Sequence, residues 1–325
     1  MESPVFRLGL VGFDAREEKL VRDAAARYRA ARWECGGPEG ADAWVLNGAR
    51  VGRTEGASVR VIASHGATDS GALVLDLGSR PTIVAAPAPQ ALQQLTSLRF
   101  DLRDADAFAA CLGEVDRRLA RLRRVYWVAA HLVKCNDMVG KAVYELRMGM
   151  LLLAIADMKG VVSILPGLRE AQIEQAVWKH RSRKLLDVPA DFEQYALAEV
   201  LWTYTTRTRL NLLPEHYTEV PVYLRRPPRV PTEMIRDEHL QVLRELAIGP
   251  ARFADLRDRT GADANTLART LAALYYVGAI TSNPERAWAA SHSSGHWGSR
   301  TSAMEQDAAN FRVPREGQPS TTPLL

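Results

Sequence analysis

The sequence has no apolar run long enough to cross a bilayer. Its longest uninterrupted stretch, residues 148–156 (MGMLLLAIA), falls far short of the roughly 20 residues a membrane helix needs. The start, MESPVFRLGL, lacks the basic and apolar regions of a signal peptide, so a cytoplasmic, soluble protein is expected. Cysteine is scarce as well. Cys35, Cys111 and Cys135 are widely spaced, odd in number and without a CxxC pair, which argues against a disulfide framework or a thiolate zinc site. Glycine motifs for phosphates are missing, with neither GxGxxG nor GxxxxGK[ST] present, and GxSxG and HExxH are absent too. His292 and His296 lie four apart beside Trp297, but in a Ser/Gly-rich tail that offers no helix to hold a metal. No acid/base pair assembles, so neither an enzyme nor a cofactor is expected.

What is present is enough for more than one core: 325 residues, 47% apolar and 25% charged. Residues 6–12 (FRLGLVG) suit a buried strand, and residues 16–28 place Leu20, Val21, Ala24 and Ala25 at helical spacing. Short β-like runs follow at 43–46, 59–63, 72–77 and 82–86, then a long helix over 104–124. An open α/β domain over residues 1–124 is the economical assembly. An α+β middle domain is expected over 125–228, with strands at 142–146 and 151–165, helices at 169–180 and 191–213, and a short strand at 220–224. The prolines of RRPPRVP mark the next boundary. Residues 229–288 read as three helices (233–248, 253–260 and 264–276) and a strand, with Gly261 as a C-cap and Asp263 as an N-cap. The tail, 289–325, has the composition of a disordered segment.

The N-terminal domain resembles a response-regulator receiver. DAWVLNG puts Asn47 where that family carries its phosphoacceptor aspartate, VGFDA offers Asp14 as a single first-loop acid, and Ser64 in VIASHG takes the position of the hydroxyl after the fourth strand. IVAAPAP lacks the family's lysine. The resemblance implies a pseudo-receiver that docks or dimerises without accepting a phosphoryl group, because an amide is a poor nucleophile and brings no charge to a metal. The alternative is an ordinary flavodoxin-like sheet whose Asp14 and Asn47 are solvated loop residues.

Residues 229–288, ending in LYYVGAITSNP, resemble a bacterial winged helix, whose third helix enters the major groove of DNA. The resemblance points to Asn265, Thr266, Arg269 and Thr270 as groove-facing residues, since Asn and Arg can make bidentate base contacts. Residues 231–284 hold six arginines against seven acids, few cations for phosphate contact. More positive is the stretch 121–184, with twelve Lys/Arg against five acids, and within it Arg181, Arg183 and Lys184 are the phosphate-gripping candidates. Arg207, Arg209, Arg225 and Arg226 extend that track. Arg117, Arg118 and Arg121 are similar to the RRxxR that opens cyclic-dinucleotide-binding barrels, but the second half of that pattern is missing.

The expectation is therefore a non-catalytic, transcription-regulator-like protein with DNA, a protein partner or a second copy of itself as partners. The rival is a protein-binding signalling or assembly adaptor with an exposed apolar patch around Trp202, Tyr275 or Tyr276.

Overall fold

The computed structural model describes residues 2–62, 72–96, 98–135, 142–182 and 187–288. They form two compact units, one of residues 2–121 and one from residue 122 onward. Among the described residues, no helix is long and apolar enough to cross a membrane.

In the first unit, β1 (Val5–Val11) is almost wholly buried, as an apolar strand covered on both faces must be. It runs into α1 (Ala15–Arg27), β2 (Arg32–Gly36) and β3 (Ala43–Asn47). Next, β4 (Val51–Glu55), β5 (Ser58–Ile62) and β6 (Ala72–Asp76) form a small antiparallel sheet. The chain then re-enters the main sheet as β7 (Thr82–Ala86), followed by α2 (Gln90–Leu95), β8 (Arg99–Asp101) and α3 (Ala105–Arg118). The main sheet is parallel throughout, in the order β2-β1-β3-β7-β8.

Two expectations change here. The runs at 59–63 and 72–77 are not main-sheet strands but pair with each other antiparallel, and the first alternates: Val59 and Val61 enter the core while Arg60 faces water. Ser64 lies outside the described residues, and the strand that precedes it belongs to the antiparallel sheet. The fourth parallel strand is therefore Thr82–Ala86, which contains IVAA, and the fifth is the three-residue β8. The helix expected over 104–124 breaks at Leu119, with a second helix, α4 (Ala120–Lys134), beyond it.

The second unit packs α4 with a five-stranded antiparallel sheet. Its strands are β9 (Val143–Met148), β10 (Leu151–Asp157), β11 (Val161–Ile164), β12 (Val177–Arg181) and β13 (Glu193–Ala196), in the order β12-β9-β10-β11-β13. The hairpin expected at residues 157–160 is present, with Gly160 at φ +141. The helix expected over 169–180 is not. Only α5 (Glu170–Glu174) is helical, and 177–181 pair with β9 instead. Ile173 and Ala176 are buried as helical spacing predicts, but Val177 is 58% exposed, and Trp178 turns inward opposite Leu146. The helix expected over 191–213 begins as strand β13 and is helical only as α6 (Leu197–Thr205). It stops where Thr203, Thr205 and Thr206 hydrogen-bond back to the carbonyls of Glu199, Leu201 and Trp202.

β14 (Tyr223–Leu224) comes just before the prolines, and past them α7 (Asp237–Ile248), α8 (Phe253–Thr260), α9 (Ala264–Tyr276) and β15 (Ile280–Thr281) follow the expected order. Gly261 at φ +68 caps α8, and Asp263 caps α9. The expected boundary at 228/229 does not divide the core. Trp202 donates through Nε1 to the carbonyl of Met234 and packs on His239 at 4.7 Å, and Tyr217 meets Tyr275 at 5.2 Å. One apolar cluster runs from Val125 in α4 to Ile280 in β15.

Candidate functional site

In open parallel sheets, ligands bind beyond the carboxyl ends of the strands, where the strand order reverses. That place lies between β1 and β3. Asp14, after β1, caps α1 by accepting from Glu17 N at 2.8 Å, and Glu17 Oε2 accepts from Asp14 N at 3.0 Å. Asn47, at the end of β3, donates from Nδ2 to that same Oε2 at 3.0 Å and accepts at Oδ1 from Ala49 N at 3.1 Å. It is 3% exposed, so it is not a solvated loop residue. Its amide is thus engaged on both sides, by Glu17 and by the Ala49 N–H. Next to it, Gly48 admits no side chain, because a Cβ would lie 2.5 Å from the Ala85 carbonyl oxygen and 2.6 Å from that of Pro87. Among the described residues, no three His, Cys, Asp or Glu side chains gather as a metal site. Glu17 is the member of this cluster that the sequence reading missed. Its signal is the D-x-x-E spacing of a capping box.

On α9, Asp263 accepts from Asn265 N and Thr266 N, both at 3.0 Å. Hydrogen bonds from Thr266, chiefly its side chain, and from Asn265 hold the Asp263 carboxyl below the usual range. Asn265 is exposed, and Thr266 and Arg269 are half-buried. Thr270 is a correction: at 4% exposure it faces the core and cannot reach a partner. Every residue from Thr270 to Thr281 is buried, so α9 presents only its first turn and a half. Trp202, Tyr275 and Tyr276, expected as an exposed apolar patch, are also buried, at 1%, 0% and 4%.

No family model, curated protein or solved structure matches the chain. Its chemistry is thus read from its own residues.

The cations are largely committed. Arg181 sits on β12, not at a helix end. Its side chain is 13% exposed, 3.5 Å from Glu145 and hydrogen-bonded to the Asp187 carbonyl. Glu145 also holds Arg147 at 2.7 Å, which pushes that guanidinium pKa further up. Arg183, Lys184 and the histidines of the tail lie outside the described residues. Arg226 donates to the Val277 carbonyl, and the backbone amides of Arg225 and Arg226 both donate to Ala279. Near α9, Arg257 is bound to Asp258 at 3.0 Å and Arg236 to Glu238 at 3.5 Å. Burial pushes the Cys35 thiol up to about 11 and raises that of Cys111, so neither is a thiolate nucleophile near neutral pH.

Proposed function

We propose that the chain is a non-catalytic regulatory protein that works by docking other proteins, a pseudo-receiver joined to a winged-helix-like module. The observation that carries the reading is Asn47. The strand order β2-β1-β3-β7-β8 matches the flavodoxin-like order that receivers share, and Asn47 ends the third strand, the position the resemblance gives to the receivers' aspartate, which supports the reading. The amide there is engaged with Glu17 and Ala49, so the frame is kept without the phosphoryl chemistry. The order α7, α8, α9, with β15 paired to β14, supports the winged-helix likeness.

Protein docking is favoured over DNA reading because α9 is enclosed from Thr270 onward and Arg236, Arg257 and Arg259 are paired with acids. The DNA reading rests on Asn265, Thr266 and Arg269 at the open end of α9. Two measurements test the proposal. Incubation with acetyl phosphate and Mg²⁺ leaves the intact mass unchanged, and a random-sequence duplex shows no binding that falls with salt and is lost in Arg269→Ala. Salt-sensitive binding that Arg269→Ala weakens by about 1–3 kcal/mol establishes the DNA reading instead.

A further inference from the structure

We propose that the outer edge of β12 is a strand-addition site for an extended peptide of a partner protein that carries an aliphatic residue and an acid two positions apart. This rests on the protein-docking reading and names its surface. β12 is the outermost strand of its sheet, and among the described residues no strand pairs with its free side. An unpaired edge presents a row of backbone donors and acceptors to an incoming chain.

The register fixes the chemistry of that edge. Val177 lies opposite Arg147, Trp178 opposite Leu146 and Lys179 opposite Glu145. Val177, Lys179 and Arg181 therefore share one face of the sheet, and Trp178 and His180 the other. Trp178 is 8% exposed, while Lys179 and His180 stand open to solvent. On the Val177 face, the two outermost strands carry three cations, Arg147, Lys179 and Arg181. A single carboxylate, Glu145, opposes them, and its partners are Arg147 and Arg181. Lys179 remains for an acid on the incoming strand.

The same corner is apolar at one end. Arg147 pairs with both Val177 and Leu152, which brings the tip of the β9–β10 hairpin to the start of β12. Met150 at that tip is 91% exposed, Leu151 41% and Val177 58%. An aliphatic side chain of an added strand fits over Val177, and an acid two residues further along the same face fits over Lys179. A second copy of the chain fits poorly, since antiparallel pairing about the middle of β12 sets Lys179 against Lys179. Nucleic acid fits poorly too: Trp178 offers no free face for stacking, and Met150, Leu151 and Val177 give a phosphate backbone nothing.

The test uses the full chain and fluorescently labelled ten-residue peptides, read by polarisation. A peptide repeating Val-Thr-Glu-Thr, the acidic peptide, binds at least tenfold more tightly than one repeating Val-Thr-Lys-Thr. Methylating alternate backbone nitrogens of the acidic peptide weakens it at least tenfold, because strand addition needs those N–H groups. The double variant Val177→Glu, Lys179→Glu keeps its melting temperature, both side chains being exposed, and loses at least tenfold in affinity. No binding of the acidic peptide, equal binding of its methylated form, or unchanged binding by the double variant overturns the proposal. So does a 20-nucleotide single strand that binds this edge in place of the peptide. Failure of the peptide alone leaves the docking reading standing with its surface elsewhere, whereas duplex binding that depends on Arg269 removes that reading whatever the peptide does.

Discussion

Asn47 shows how one side chain decides a chemical class. Its Nδ2 satisfies Glu17 and its Oδ1 satisfies Ala49 N, so changing the amide to a carboxylate loses the donor and sets two acids 3.0 Å apart. Asn47→Asp is expected to destabilise the first unit by about 1–3 kcal/mol, measured by urea unfolding, rather than to restore a phosphoacceptor. Gly48→Ala is expected to cost about the same from overpacking against the Ala85 and Pro87 carbonyls. His131 is a titrating case. Burial first, then the charge of Lys134, lowers its pKa below the ordinary 6.5, against an opposing hydrogen bond to Ala176. Its neutral form is the one that packs against Trp178. Stability from this group is thus complete above the unfolded value and is lost as pH falls from 6.5 through the folded value. Melting curves between pH 7.5 and 5 should show a shallower decline in His131→Gln than in the native chain.

Elements were legible where local chemistry and packing agreed. The limits of α8 and α9 follow from Gly261 and Asp263, because a left-handed cap and an N-cap act within one turn and need no distant partner. β12 was misread because Ile173, Ala176 and Val177 carry helical spacing, while Trp178 is claimed by Leu146 across the sheet, about thirty residues earlier in the chain. Trp178→Ala should cost about 3–5 kcal/mol in global stability, the loss of a large buried side chain. In amide exchange, residues 177–181 should be protected as a strand paired with β9, and a helical pattern of protection there would contradict the assignment. Thr270 was misplaced for the same reason as β12. It lies off the leucine stripe of α9, but the helix is packed on more than one side, so a single stripe does not define its core.

At the scale of the molecule, the prolines after Leu224 suggested a linker, yet the apolar cluster passes beneath them. Trp202 and Tyr217 come from before them, and Met234, His239 and Tyr275 from after. A fragment of residues 229–288 is therefore expected to lack a cooperative melt, having lost α6 and the sheet, while residues 120–288 melt as one transition. Circular dichroism of the two fragments checks this, and a cooperative melt of the shorter one would restore the boundary at 228.

The sequence by itself determined the α/β character of the first unit, the three C-terminal helices with their caps, and an amide rather than an acid at position 47, because propensity, capping and residue identity act locally. Only the tertiary structure decided which strands share a sheet, which face of α9 is left open, and that β12 is an edge. Strand pairing and helix burial depend on partners distant in sequence, and no local pattern names them.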